Sequence, residues 1–258
     1  MNVEKKQILI TVKAYPNPSK KYGETVCCAG VDLSNHQLIR LYPIPFRDLD
    51  SNQKFKKYTI IEADCTLPKD DKRPESFQVI YETIKRLKWL DPERGTWSKR
   101  KEIVLQVPLK SMCQVYKDAE EKDLSLGLIK PDNISFEWKK RKLSSKEERD
   151  VSYAQLTFFN KSKDAIEEIP FDFYYQFTCF NMSECLGHKL SIIDWEIGEA
   201  YRDWSSKYKT EDELLEKIKQ KWLDISDISK RDVYFYVGNM KRFRKTFMVL
   251  GVFYPSKK

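Results

Sequence analysis

The stretch from Thr25 to Phe46, TVCCAGVDLSNHQLIRLYPIPF, gives the clearest indication of the fold class. Its two ends are rich in the aliphatic, β-branched and aromatic residues that favour strands. The segment at 33–35, Leu-Ser-Asn, lies between them and contains small polar residues typical of turns. We therefore predict a β-hairpin here, within a chain built mainly from short strands.

The same pattern continues on both sides of the hairpin. Residues 7–15, QILITVKAY, predict a strand that leads into a Pro-rich loop, and residues 58–67, YTIIEADCTL, predict another strand. The segment 73–102 lacks clear alternation, so we expect it to be irregular or helical, with Trp89 and Trp97 as packing anchors.

A second strand-rich block follows a predicted helix at 108–123, where apolar residues recur near helical spacing. Strands are predicted within 126–142, 151–159, 171–180 and at both ends of 232–255. Between the last two of these, Asp194 and Thr210 are suitable N-caps for two helices. The second helix has an apolar stripe at Leu214, Leu215, Ile218 and Trp222.

Two strand-rich blocks joined by a helix predict two small β domains. The expected fold class is mainly β with helical insertions, an α+β chain, and its short strands with irregular connections fit partly open barrels. We place the first domain at 1–108, a helical connector at 109–126 and the second domain at 127–258. The second domain has its helical insertion at about 194–224.

Composition limits the environment and the partners. The 258 residues have a formal charge of +8, which suits either a polyanionic partner or a Lys-rich surface. No apolar run approaches the ~20 residues of a membrane helix, and the N-terminal apolar run is too short for a signal peptide. We expect a cytoplasmic protein with six reduced cysteines and no membrane partner.

The segment FTCFNMSECLGH, residues 177–188, contains two cysteines and one of two histidines. Cys185 and His188 are separated by two residues, a spacing that lets both side chains reach one zinc ion, and Cys179 can supply a third ligand. The sequence therefore predicts structural zinc at these residues. The alternative is buried, reduced thiols beside a hydrogen-bonded histidine.

A fourth zinc ligand is not local to this segment. Cys27, Cys28 and Asp194 are the candidates that we consider for it. A catalytic metal would need an open coordination position and a general base, which this cluster does not show. A Cys179–Cys185 disulfide is disfavoured in a reducing compartment.

Six stretches together resemble the bacterial family of dual OB-containing domain proteins. They are KAYPNPSKKYGETVCCAGVD (13–32), IRLYPIPFRDL (39–49), KRPESF (72–77), FTCFNMSECLGHKLSIIDWEI (177–197), VYFYVGN (233–239) and FMVLGVFYP (247–255). The resemblance extends from about Ile8 to Pro255. It implies two OB-like β-barrels and a nucleic-acid-binding role beside bacterial anti-phage defence systems, and it implies no catalytic residues.

OB-type barrels bind single strands through basic grooves and exposed aromatic rings. The loop after the first strand interleaves both residue types, at Lys13, Tyr15, Lys20, Lys21 and Tyr22. Because prolines stiffen this loop, it would lose less conformational entropy on binding.

A second basic stretch, NMKRFRKTF, places Lys241, Arg242, Arg244 and Lys245 around Phe243. The alternative for Phe243 is a ring that folds back onto the barrel. Arg40 is a further candidate on the hairpin. The segment 139–149, KKRKLSSKEER, is either a solvated hairpin loop or a mobile arm for phosphates.

We predict a non-catalytic nucleic-acid-binding protein that favours single-stranded DNA or RNA and serves as an accessory subunit of an anti-phage defence system. The first alternative is a protein–protein adaptor of a defence complex, since a fold does not determine a function. A metal-dependent nuclease is the second alternative. Its candidate carboxylate pairs are Asp194 with Glu196 and Glu62 with Asp64.

Overall fold

A computed structural model of the chain describes residues 2–14, 17–19, 23–46, 48–141 and 169–257, with only the backbone at 17–19 and 23–25. The predicted strand at 151–159 and most of the basic segment 139–149 lie outside the described residues.

The first unit is a β-sheet whose strands alternate in direction over most of its width. Its strands are β1 (Val3–Lys13), β2 (Asn17–Ser19), β3 (Gly23–Asp32), β4 (Leu38–Ile44), β5 (Thr59–Thr66), β6 (Ser76–Val79) and β7 (Lys85–Trp89). The predicted hairpin is confirmed, since β3 pairs antiparallel with β4. The predicted strands at 7–15 and 58–67 correspond to β1 and β5.

Five of these strands close into a barrel in the order β1-β3-β4-β6-β5 and back to β1. Closure is possible because β1 pairs with β5 along its first part and with β3 along its second. Gly30 allows the close approach of β3 to β1, since a Cβ at this position would collide with the Leu9 carbonyl oxygen. β4 and β6 are the parallel pair of the barrel.

The second unit is an open seven-stranded sheet, with strand order β10-β11-β12-β14-β13-β9-β8. Its strands are β8 (Leu109–Lys110), β9 (Leu126–Ile129), β10 (Pro131–Lys140), β11 (Phe171–Cys179), β12 (His188–Ile192), β13 (Tyr234–Asn239) and β14 (Phe247–Phe253). We predicted two partly open barrels; the first sheet is closed and the second is open, and the OB-like character of the two units stays a prediction. Its edge strands are β10 and β8, and Lys130 is the one residue between β9 and β10.

The α-helices of the described residues are α1 (Ser98–Val104), α2 (Met112–Glu121), α3 (Trp195–Ser205) and α4 (Glu211–Ile225). The predicted caps are present, since the Asp194 side chain accepts from the Glu196 amide and the Thr210 hydroxyl accepts from the Glu213 amide. The predicted apolar stripe of α4 is buried. The mainly β fold class with helical insertions is confirmed.

The segment 73–102 differs from its prediction because it contains β6 and β7 before α1. All five residues of β7 are exposed, so this edge strand has no buried face and no apolar alternation to reveal it. The 109–126 segment begins with β8, continues with α2 and ends at the start of β9. Because β8 pairs with β9, this segment contributes to the second sheet.

Three apolar clusters form the core, one inside each unit and one across their junction. Arginines of the first unit also reach into the second. Arg40 and Arg73 donate to the Asn239 carbonyl oxygen over 3.2 and 2.9 Å, and Glu75 accepts from the Leu126 amide at 2.8 Å.

Among the described residues, no helix has the length and apolar character needed to cross a membrane.

Candidate metal centre and basic groove

Three cysteines and one histidine of the second unit converge on one point. Cys113, Cys179, Cys185 and His188 each offer one ligand atom, and these four atoms lie within 4.8 Å of one another. His188 Nε2 is 3.5, 3.4 and 3.3 Å from the sulfurs of Cys113, Cys179 and Cys185 respectively. The Cys113 and Cys179 sulfurs are 3.9 Å apart. This cluster could hold a metal ion.

Three elements bring the ligand atoms together. Cys113 is the second residue of α2, Cys179 is the last residue of β11, and His188 is the first residue of β12. Cys185 lies in the connection between β11 and β12. Gly187 in that connection has φ +94°, a backbone conformation that side chains with a Cβ rarely adopt, so glycine permits the turn from Cys185 to His188.

Hydrogen bonds and packing orient the ligand atoms. The Met112 amide donates to the Cys179 sulfur at 3.2 Å, and the Cys179 amide donates to the Cys185 sulfur at 3.3 Å. The Tyr116 ring stacks on the His188 ring at a centroid distance of 5.9 Å. Such outer contacts fix ligand orientation in metal sites.

The pKa shifts of His188 and Cys185 favour metal ligation, whereas the shift of Cys113 opposes it, because metals bind the thiolate. Burial lowers the pKa of His188, which keeps its imidazole neutral, the form that binds metals. Burial acts to raise the pKa of Cys185, but amide donors from Cys179 and Gly187 lower it below the ordinary value. Burial raises the pKa of Cys113 to about 12.

The structure brings together the three ligands expected from the sequence and adds Cys113, which sequence reasoning missed. The fourth residue of the cluster is Cys113, so the prediction of Cys27, Cys28 or Asp194 in this place is wrong. Cys27 and Cys28 belong to β3 of the first unit. Asp194 is bonded to Lys57. A free cysteine at the start of a predicted helix was the only signal for Cys113.

A groove of about 910 Å³ lies between the first barrel and the turn that joins β13 to β14. The barrel contributes residues of β4 and β6 and of the β5–β6 loop, and the turn contributes Met240, Lys241 and Arg242. Tyr42 on β4 is 39% exposed in this groove. Ligand sites commonly occupy cavities of roughly 300–1,000 Å³ at such junctions.

The predicted basic turn divides into two parts. Arg244 pairs with Asp123 at 2.7 Å, and Lys245 lies 3.4 Å from Glu120. Lys241 and Arg242 are exposed on the groove, and no described carboxylate lies within ion-pair distance of either.

The Phe243 ring is 59% exposed, so it does not fold back onto the barrel. Arg40 is buried and donates to Ser125 and Asn239, which places it inside the junction rather than on an exposed surface. Lys13 lies half-buried against the rings of Phe46 and Trp195.

The remaining candidate residues of the first loop are Tyr15, Lys20, Lys21 and Tyr22, and they lie outside the described residues. Their role in nucleic-acid binding stays a prediction.

The carboxylate pairs considered for a nuclease are bonded to lysines. Lys57 contacts both Asp194, at 2.7 Å, and Glu196, at 3.3 Å. Lys5 lies 3.7 Å from Glu62 and 3.3 Å from Asp64. These contacts explain both pairs of carboxylates as ion-pair partners of lysines.

Family models cover nearly the whole chain. Residues 108–258 match the model described as Domain of unknown function (DUF8757), which is more than half of the chain. The chain belongs to the DUF8757 family. Residues 4–106 match a second model, Domain of unknown function (DUF8758), so the DUF8757 region follows directly after it. A search of curated proteins returned no match. The resemblance to dual OB-containing domain proteins stays a prediction.

Proposed function

We propose that the protein binds nucleic acid without catalysis, favours single strands, and uses the basic groove between its two units. The observation that supports this most directly is the meeting of Tyr42 with Lys241 and Arg242 across one 910 Å³ groove. An exposed ring offers a surface for base stacking, and exposed cations attract the phosphates. These residues come from different units, so the groove depends on the whole chain.

The topology of the first barrel supports an OB-like assignment. An OB fold is a five-stranded Greek-key barrel in which the face of the second and third strands and the loop before the last strand bind ligands. In the first barrel those positions correspond to β3, β4 and the β5–β6 loop. The groove is lined by Cys27 of β3, by Tyr42 of β4 and by Lys69 of that loop.

We also propose an OB-like architecture, partly open, for the second unit. Its order β10-β11-β12-β14-β13 follows that of β1-β3-β4-β6-β5, and β12 and β14 are parallel as β4 and β6 are. β9 pairs with β13 and continues through Lys130 into β10. Together β9 and β10 therefore occupy the place that β1 has in the first barrel.

A single strand fits the groove chemistry better than a duplex. Stacking on Tyr42 requires an unpaired base, because the bases of a duplex stack on one another. Lys69, Lys241 and Arg242 are exposed residues of the same groove, where they outnumber the exposed carboxylate Asp70 and can follow a backbone.

We further propose that the Cys113/Cys179/Cys185/His188 cluster holds a structural zinc ion. Tetrahedral zinc with Zn–S near 2.3 Å and Zn–N near 2.0–2.1 Å separates two sulfurs by about 3.8 Å and sulfur from nitrogen by about 3.5 Å. Here the Cys113 and Cys179 sulfurs are 3.9 Å apart, the three sulfur–nitrogen separations are 3.3–3.5 Å, and all four ligand atoms lie within 4.8 Å of one another. Four protein ligands complete this geometry, so the expected role is structural.

The role in an anti-phage defence complex rests on the resemblance alone and remains a prediction, as does the adaptor alternative.

Fluorescence anisotropy tests the binding proposal, with labelled single-stranded DNA, single-stranded RNA and duplex DNA at two salt concentrations. We expect salt-dependent binding at about micromolar or tighter affinity, with a single strand preferred. Absence of binding to all three probes at low salt would exclude the proposal and favour the adaptor.

A further inference from the structure

A second cavity, of about 360 Å³, lies at the junction of the two units and shares no lining residue with the basic groove. The first unit contributes residues from the end of β1, the segment before β5, β7 and α1. The second unit contributes residues from the start of α3 and the end of β14. Its volume lies within the range of roughly 300–1,000 Å³ typical of small-molecule sites.

Aromatic rings form the walls of this cavity. Trp97 packs against Tyr58 and Tyr254 at centroid distances of 5.2 and 4.7 Å, which makes one wall rigid. Trp89 is 47% exposed on the edge strand β7, and its Nε1 donates to the Lys57 carbonyl oxygen at 3.1 Å. A held, exposed indole offers a flat surface to a planar ring.

Lys13 places in the same cavity a positive charge that contacts aromatic rings rather than a described carboxylate. Its Nζ lies 3.9 Å from the Phe46 ring centroid and 4.8 Å from that of Trp195. Among the described residues, its hydrogen bond is a long contact of 3.5 Å to the Phe55 carbonyl oxygen. No described carboxylate lies within ion-pair distance of this ammonium, and burial lowers its pKa. An anion beside Lys13 would restore the lost stabilisation of the charge.

The other charged groups leave the cavity positive. Lys56 is exposed and has no ion-pair partner among the described residues. Arg100 stacks its guanidinium 4.0 Å from the Tyr58 ring centroid and donates from Nε and Nη2 to the Leu90 carbonyl oxygen. The lining carboxylate Glu196 lies 3.3 Å from Lys57, which Asp194 also contacts, so these three groups carry one net negative charge. The three positive charges of Lys13, Lys56 and Arg100 outweigh it.

These features define the chemistry of a ligand. The cavity would repel a cation, and an apolar ligand would leave the Lys13 ammonium without a partner. A planar aromatic group that carries an anion satisfies both the indole surfaces and the lysines. We propose that this cavity is a nucleotide site, with the base against Trp89 and the phosphate at Lys13 and Lys56.

The nucleotide has two sources, a free nucleoside monophosphate or one nucleotide of a bound single strand. Isothermal titration with adenosine monophosphate, adenosine and inorganic phosphate tests the first source. Anisotropy with a labelled single-stranded oligonucleotide tests the second. Each probe is applied to the full-length protein and to the Trp89→Ala, Lys56→Ala and Lys13→Met variants, whose urea midpoints are compared first.

The matched control is Trp138→Ala. Trp138 lies on β10 with Lys219 Nζ 5.7 Å from its ring centroid, so it is a tryptophan–lysine pair outside the cavity. We expect Trp89→Ala and Lys13→Met to weaken binding of adenosine monophosphate or of the oligonucleotide about tenfold or more, and Trp138→Ala to leave it unchanged. Adenosine and phosphate alone should bind at least about tenfold more weakly than the monophosphate.

The outcome also separates this site from the groove. If wild-type protein binds the monophosphate through Trp89 but binds no oligonucleotide, the nucleotide site stands and the proposed groove function fails. If only oligonucleotide binding depends on Trp89 and Lys13, the nucleotide belongs to the strand. Affinities for both probes that are unaffected by Trp89→Ala and Lys13→Met, or no binding of either probe, would overturn the nucleotide site.

Discussion

The Lys57 ammonium lies 2.8 and 2.7 Å from the two carboxylate oxygens of Asp194, and this ion pair joins the two units. Lys57 precedes β5 of the barrel, and Asp194 caps α3 of the second unit. Their side chains are only 11% and 5% exposed. Because burial removes hydration from both groups, each charge depends on the other.

Replacing Lys57 should destabilise the protein strongly. Lys57→Met leaves the Asp194 carboxylate buried without its partner, and such breaks cost about 3–5 kcal/mol. Urea unfolding of wild type and variant measures the difference. The double variant Lys57→Met/Asp194→Asn should regain part of the loss, because it leaves no unpaired charge.

Lys5→Met is the matched control for this ion pair. Lys5 is 59% exposed and lies 3.3 Å from Asp64, so its loss should cost less than about 1 kcal/mol. Equal losses for Lys5→Met and Lys57→Met would contradict a special role for the buried pair.

Replacing Cys113 should remove the metal. Purified wild-type protein, prepared without chelators, should contain about one equivalent of zinc by elemental analysis, and Cys113→Ser should contain much less. Cys27→Ser is the control, because Cys27 lies on β3 outside the cluster and should leave the zinc content unchanged. Less than about a tenth of an equivalent in wild type would exclude a zinc site and favour reduced, hydrogen-bonded thiols.

The loop beside the groove should carry a pH-dependent contribution to stability. Burial acts to raise the pKa of Asp71, but bonds from Arg73 outweigh it and hold this pKa at about 2, below the ordinary value of 3.8. The contribution is therefore present above pH 3.8 and lost as the pH falls toward 2.

Asp71→Asn should lower the free energy of unfolding by about 1–2 kcal/mol at pH 6, allowing for partial solvent screening. The difference between wild type and variant should shrink as the pH falls toward 2. Denaturant unfolding across this pH range measures it. A difference that stays constant with pH would show that the Asp71 charge makes no such contribution.

Removing the groove cations should weaken binding of a single strand. Lys241→Ala and Arg242→Ala should each lower affinity and reduce the slope of log K against log salt by about 0.7, as expected for one phosphate contact. Anisotropy titrations at several salt concentrations measure both quantities. Lys245→Ala is the control, since it removes the same charge from the same turn but lies near Glu120.

The exposed ring in the groove should matter independently of charge. Tyr42→Ala should reduce the binding free energy of a single strand by about 1–3 kcal/mol and leave the salt slope unchanged. The same titrations report the result. A lower slope of log K against log salt, with the affinity at low salt unchanged, would indicate that Tyr42 positions the cations instead.

Local patterns were sufficient for most strands and helices. The 25–46 hairpin combines strand-forming residues with a polar turn, and Asp194 and Thr210 mark their helices because a cap needs only the first turn. The edge strand β7 was missed for the opposite reason. A strand without a buried face leaves no periodic pattern, and only pairing with β5 defines it.

The metal cluster shows the same limit. Cys185 and His188 lie on one turn, so their spacing already indicated convergence. Cys113 is 66 residues from Cys179 and meets it only through the packing of α2 against the end of β11.

Arg40 was expected on a binding surface, yet Ser125 and Asn239, which bury it, belong to the other unit.

Residues close along the chain were enough to predict the mainly β character, the helix caps and three of the four residues of the Cys/His cluster. The folded chain alone shows that one sheet closes and the other stays open, that Cys113 joins the cluster, and that Lys241 and Arg242 line one groove with Tyr42. Those features depend on contacts between distant segments, and no local spacing encodes which distant surfaces pack together.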